Sequence, residues 1–155
     1  MNKNISEYGA RYQTLLQLLK TSETIWNASR LFFAQWDLSP SQFNVLNLLH
    51  GVDESRTQID LSRDLITHRS NVTGLVDRLE KRGLVHRRPV PGDRRAYHVS
   101  LTATGNKLMD AILPEYHERT ENALEGIPLK QLSLLKQQLK TIEETAGVVA
   151  ANLSK

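Results

Sequence analysis

The chain contains no cysteine. That excludes disulfide bridges, thiolate zinc sites, iron–sulfur clusters and any sensor that works by cysteine oxidation. Long apolar runs are missing as well. None approaches the roughly 20 residues of a membrane span, and the N-terminal MNKNISEYGARYQ lacks the apolar core of a secretory signal. A cytoplasmic protein without membrane contact is expected. Catalytic signatures are also absent: there is no HExxH, no GxSxG and no Gly-rich phosphate loop, and the carboxylates do not cluster in an apolar setting. No enzyme is expected and no catalytic residue is assigned. The histidines, His50, His68, His86, His98 and His117, lack metal-ligand spacing, so neither a metal nor a cofactor is expected. With no repeat, linker or low-complexity tract, 155 residues read as one continuous structural unit with one sizeable core.

What is present is mostly helical periodicity. Ile5, Tyr8, Tyr12, Leu15, Leu16, Leu19, Ile25, Trp26, Phe32 and Phe33 recur at helical spacing and predict a long helix over 5–36. Ser39-Pro40-Ser41-Gln42 carries two start signals, a capping box between Ser39 and Gln42 and a proline at the first helical position. That helix carries Phe43, Leu46 and Leu49 and stops at Gly51. Thr57 and Asp60 form a second capping box ahead of a short helix with Leu61 and Leu65 on one face. After Ile66-Thr67, a helix from about His68 to Arg82 places Val72, Leu75, Val76 and Leu79 on one stripe and ends at Gly83 in a left-handed cap. Two β-prone runs around Pro91-Gly92 follow. A hairpin centred on Gly92 pairs Val85 with Val99 on the inner side and His86 with His98 on the outer side. The two histidines read as a solvated or phosphate-facing pair rather than as a zinc site or pH switch. Thr102 caps a further helix that Pro114 should kink or interrupt and Gly126 should end. Pro128 starts the last helix, with Leu132, Leu135, Leu139 and Ile142 as a narrow apolar stripe.

Charge is not spread evenly over these elements. Arg56 to Arg95 holds nine Arg and one Lys against Asp60, Asp64, Asp77, Glu80 and Asp93, a net +5, whereas the remainder has 10 basic and 12 acidic residues, a net −2. Outside the window seven of the ten basic residues are Lys; inside it Arg, whose planar fork suits phosphate and guanine, dominates. The core stripe of the 68–82 helix leaves Arg69, Ser70, Asn71, Thr73, Gly74, Asp77 and Arg78 facing outward, and these include the side-chain types that read bases and phosphates. Asp77 would repel phosphate and is expected to partner a nearby Arg. Arg87 and Arg88 on the first strand join the basic surface. The hairpin tip offers Arg94 or Arg95 to a minor groove, with Asp93 orienting its neighbour. Double-stranded DNA is the expected partner. The competing reading is a winged helix that binds protein partners without specific DNA binding, and the bland one is a solvated charged surface. The helices at both ends expose more apolar surface than the middle can cover, which favours a homodimer over a monomeric bundle.

The segment Asn71-Val72-Thr73-Gly74-Leu75-Val76-Asp77-Arg78-Leu79-Glu80-Lys81-Arg82-Gly83-Leu84-Val85, then Asp93-Arg94-Arg95-Ala96, then Val99-Ser100-Leu101-Thr102 with Gly105, resembles the MarR family of bacterial winged-helix transcription regulators. The resemblance covers about a third of the chain. It implies a mainly α fold: a winged helix-turn-helix with a small antiparallel β wing over 39–101, flanked by an N-terminal helix over 5–36 and C-terminal helices over 102–150 that form the dimerisation region. It further implies a homodimeric repressor of nearby genes bound to a palindrome, with the 68–82 helix in the major groove and Arg94 in the minor groove. Ile66 stands where such turns often have Gly, and Val90 where the wing commonly has an acidic residue. Members often answer small phenolic or aromatic acids bound between the arms and the DNA-binding part. Tyr12, Trp26, Arg30, Phe32, Trp36 and His50 are the candidates here, although each aromatic taken singly reads as core. Without cysteine, thiol-based peroxide sensing is excluded.

Overall fold

A computed structural model of the chain describes residues 9–52, 55–65 and 72–153, and the backbone but not the side chains of 93–95. The element order is α1 (Ala10–Ala34), α2 (Pro40–Leu49), β1 (Arg56–Thr57), α3 (Gln58–Asp64), α4 (Val72–Lys81), β2 (Val85–Val90), β3 (Asp93–Leu101), α5 (Ala103–Leu124) and α6 (Leu129–Leu153). This is the mainly α architecture with a small antiparallel sheet that the sequence predicts. The chain divides within α5 into two compact units, Met1–Asp110 and Ala111–Lys155.

Local chemistry sets the boundaries in the first unit. α1 ends where the Leu38 N–H bonds the Phe33 carbonyl and the Asp37 N–H bonds the Ala34 carbonyl, both at 3.0 Å, with Asp37 at φ 52°. This is a Schellman closure with aspartate in the place usually taken by glycine. Ser39 and Gln42 then complete the expected capping box of α2, with Pro40 at its first position. The Thr57–Asp60 box opens α3 as predicted. α4 closes at Gly83, φ 68°, through Gly83 N–H to Glu80 O at 2.8 Å and Leu84 N–H to Leu79 O at 3.0 Å. The core lies under these elements: Phe33 stacks on Phe43 with ring centroids 4.1 Å apart, and Leu46, Leu61, Val76, Leu79 and Val99 are fully buried.

The sheet departs from expectation in two ways. It has three strands in the order β1-β3-β2, the short β1 pairing Arg56 with Val99 and Thr57 with His98. The hairpin register is also shifted by two residues. Val85 pairs with Leu101, His86 with Ser100, Arg87 with Val99 and Arg88 with His98, with an irregularity between Pro89 and Val90. The tight turn pairs Val90 with Asp93, and the bulge beyond it consumes extra residues of β3, so a register counted from Gly92 fails. A two-residue shift preserves facing, so Val85 and Val99 are still both buried. The cross-strand histidine pair does not form. His86 Nε2 lies 3.1 Å from Ser100 Oγ instead.

α5 begins at the predicted cap, with the Gly105 N–H donating to Thr102 Oγ1 at 3.0 Å. Pro114 lies inside the helix without ending it, so of the two expected effects, a kink or an interruption, the interruption does not occur. In the second unit, Ile112 is buried, and burial pushes the Tyr116 hydroxyl above its usual pKa. α6 has no buried residue: Leu139 and Ile142 are 41% and 38% exposed, and Leu132 and Leu135 are half-buried. α1 in the first unit resembles it, with Leu15, Leu19, Ile25 and Leu31 all exposed and Phe33 its sole buried residue.

Candidate nucleic-acid interface

The candidate surface is built from α3, α4 and the β2–β3 hairpin. α3 is held by its cap: the Thr57 hydroxyl donates to Asp60 Oδ2 at 2.6 Å, and the Asp60 N–H donates back to Thr57 Oγ1 at 3.2 Å. The Thr57 hydroxyl and then the Thr57 N–H stabilise the carboxylate and hold the Asp60 pKa below its ordinary value. Arg56 pairs with Asp64 at 2.5 Å, joining β1 to the end of α3. The expected base readers Arg69, Ser70 and Asn71 lie outside the described residues, as do the side chains of Asp93, Arg94 and Arg95.

α4 separates its faces as its periodicity requires. Val72, Leu75, Val76 and Leu79 are buried, and Thr73 and Arg78 are exposed. The expectation that Asp77 partners an arginine holds, and the arginine is Arg87. Its guanidinium donates to Asp77 Oδ1 at 2.6 Å and Glu80 Oε2 at 2.9 Å, with a longer contact to the Thr73 carbonyl at 3.4 Å. Its own N–H donates to Glu80 Oε1 at 3.1 Å. Arg87 was expected among the DNA contacts. Its side chain is 17% exposed and its fork is engaged by two carboxylates of α4. Arg88, on the opposite face of β2, is exposed.

Two other arginines of the basic window also have partners, Arg82 through hydrogen bonds and Arg63 only through an exposed ion pair. Arg82, just past α4, donates to the Trp36 carbonyl at 3.3 Å and to the Asp37 carbonyl, and pairs with the Asp37 carboxylate at 3.5 Å. Arg63 stands 3.6 Å from Asp60. Among the described residues of the window, Arg78, Lys81 and Arg88 make no ion pair. Among the described residues, the basic side chains of the window without an ion-pair partner are thus those on α4 and on the outer face of β2.

Arg30 lines an open cleft of about 370 Å³ with Ala34, Asp37, Leu38, Ser39, Pro40 and Gln42. Trp26 is one turn earlier on α1, and Tyr12 lies five turns earlier, roughly 27 Å along the helix. Trp36 is half-buried. The His50 imidazole is 3.1 Å from the Asp110 carboxylate.

A family model described as the MarR family matches residues 36–96, which span α2 through the wing. The transcriptional repressor MprA of Escherichia coli (strain K12) is 31% identical, in an alignment covering 91% of this chain and 84% of that protein. This chain belongs to the MarR family. It is a DNA-binding transcriptional regulator with a winged helix-turn-helix. Among solved structures, NadR in complex with 4-hydroxyphenylacetate matches with a TM-score of 0.70 and 27% identity, covering 92% of this chain and 97% of that one. The S. aureus MepR–DNA complex shares the fold at a TM-score of 0.74 and 22% identity, covering 89% and 98%. No helix among the described residues is long and apolar enough to cross a membrane.

Proposed function

We propose that this MarR-family regulator acts as a cytoplasmic homodimeric repressor. Each protomer places the helix from about His68 to Arg82 in the major groove of a palindromic operator and Arg94 in the adjoining minor groove. The observation that carries this reading is the disposition of charge on α4 and β2. Arg87 offsets part of the charge of Asp77 and Glu80, while Arg78, Lys81 and Arg88 remain exposed and make no ion pair among the described residues, so four basic side chains stand against two acidic ones on α4 and β2. Net positive charge is thus presented where a recognition helix and wing would meet phosphate. The dimer reading rests on the apolar side chains left exposed on α1 and α6, which a second copy would bury. In this assignment 5–36 and 102–150 form the dimerisation region, and 39–101 the DNA-binding domain.

Release by a small aromatic or phenolic acid is the accompanying reading. It is supported by the phenolic acid bound to NadR and by Arg30, an exposed cation beside the cleft at the α1–α2 corner. Tyr12, Trp26, Trp36 and His50 are the other residues assigned to such a site, and Tyr12, five turns from Arg30 on α1, would reach it from a second copy. The direct test is selection of duplexes from a random pool by the purified protein. An inverted repeat with half-sites about 10 base pairs apart is expected. Failure to enrich any sequence would refute operator binding, and enrichment of a single unrepeated half-site would refute the dimeric mode.

A further inference from the structure

We propose that Arg87 is a positioning residue that sets the angle between the wing and α4, so that helix and wing reach their two grooves together. The inference rests on the DNA-binding reading above and adds a residue whose contribution is made without touching DNA. Thr73, Asp77 and Glu80 recur at i, i+4 and i+7 and so form one stripe along two turns of α4. Arg87 reaches all three from β2, to Oδ1 of Asp77 at 2.6 Å, Oε2 of Glu80 at 2.9 Å and the Thr73 carbonyl at 3.4 Å. Its backbone N–H adds a bond to the same Glu80 carboxylate at 3.1 Å. These contacts fix both the side chain and the strand that bears it.

The geometry suits arginine alone. The planar guanidinium presents donors at fixed angles and can engage two carboxylates at once, whereas a lysine ammonium is a point charge on a flexible stem. Arg87 also pairs with Val99 across the hairpin, so holding it holds β3 and the turn beyond. Asp77 and Glu80 gain a role from the same contacts. Two carboxylates on the recognition helix oppose phosphate binding, and they are explained if their task is to grip the wing. The partners are 47% and 38% exposed, which places the clamp at the rim of the DNA-facing surface and outside the apolar core.

The test uses full-length Arg87→Lys, Arg87→Ala and Asp77→Asn, the duplex that the wild type selects from a random pool, and an unrelated duplex of equal length. Binding is followed by fluorescence anisotropy over a salt series, with a thermal melt for each variant. The expected result is a loss of about 10- to 100-fold for both Arg87 variants on the selected duplex and under about threefold on the unrelated one. The salt slope should stay within one unit of wild type, because no phosphate contact is lost. Asp77→Asn decides the matter even if an Arg87 variant fails to fold. Removing a negative charge would tighten binding if electrostatics alone mattered, whereas a positioning role predicts weaker binding to the selected duplex. The proposal is overturned if Arg87→Lys or Asp77→Asn binds that duplex as wild type does. It is equally overturned if the losses on the two duplexes match and the slope falls by about two, one phosphate per protomer. A wild-type protein that selects no duplex brings down the DNA-binding reading itself, a failure visible before any variant is made.

Discussion

Replacing Gly105 by alanine should damage the junction between the wing and α5, and the structure gives the cause. A Cβ built at Gly105 would lie 2.1 Å from the Leu84 carbonyl oxygen and 3.1 Å from Leu101 Cδ2. The oxygen is main chain and cannot swing aside. It also accepts from the Thr102 N–H at 3.0 Å and from the Thr102 hydroxyl at 3.2 Å. Relief requires the start of α5 to move by about 1 Å, which strains the Thr102 cap as well. Overpacking of this kind costs about 1–3 kcal/mol, and a weakened N-cap about 1 kcal/mol more. The total of roughly 2–4 kcal/mol should lower the Tm by about 5–15 °C for a chain of this size. Gly83 supplies the comparison. Its surroundings are open but its φ is 68°, so Gly83→Ala costs about 1–2 kcal/mol through the backbone alone. Asparagine, which tolerates the left-handed region, should recover stability at 83 and none at 105. Circular dichroism melts of the four variants test both mechanisms. A Gly105→Ala Tm within about 2 °C of wild type would refute the steric argument, and rescue by Gly105→Asn would show that conformation rather than contact is at issue.

Leu139→Asp should shift sedimentation at micromolar concentration from twice the mass of one chain to that of a single chain, and weaken DNA binding at least tenfold through lost bivalency; a wild type that already sediments as a monomer would remove the basis of the dimer. Arg69→Ala and Asn71→Ala should each cost about 1–3 kcal/mol on the selected operator and relax preference at particular base pairs. Arg94→Ala should chiefly weaken sites with A·T-rich flanks, and an equal loss on G·C-flanked copies would leave it only a phosphate contact. Asp60 has a folded pKa depressed below its ordinary 3.8 by its bonds from Thr57, so its carboxylate contributes stability above about pH 4 that is lost as pH falls through the folded value. Denaturant unfolding from pH 2 to 6 should therefore show Asp60→Asn closest to wild type at the acid end and less stable at pH 6; a constant difference would contradict the cap's charge dependence.

Features written in short-range chemistry were legible in the sequence. The Ser39–Gln42 and Thr57–Asp60 boxes, the glycine stop at 83 and the Thr102 cap each depend on residues within four positions of one another, and all formed. Features that depend on distant parts of the chain were not. β1 is two residues long and exists because β3 has a free edge, so no periodicity announces it. The hairpin register depends on a bulge between Pro89 and Val90 that residue counting from the turn cannot include. Asp37 adopts a left-handed cap without the glycine that would have signalled it. Gly105 was recognised as part of a motif, but its reason is the Leu84 carbonyl, 21 residues away. Composition records the charge of Arg87 and not its engagement. Its partners on α4 become visible only when β2 packs against that helix.

The central claim, that Arg-bearing α4 and wing surfaces of two protomers neutralise operator phosphates, is tested most directly by the salt dependence of binding to the selected duplex. If the dimer contacts about six to ten phosphates, log K should fall against log salt with a slope of roughly −5 to −9 between 50 and 200 mM. Arg78→Ala and Arg88→Ala should each make that slope shallower by one to two units. A flat response, or a steep one that neither substitution changes, would contradict the account.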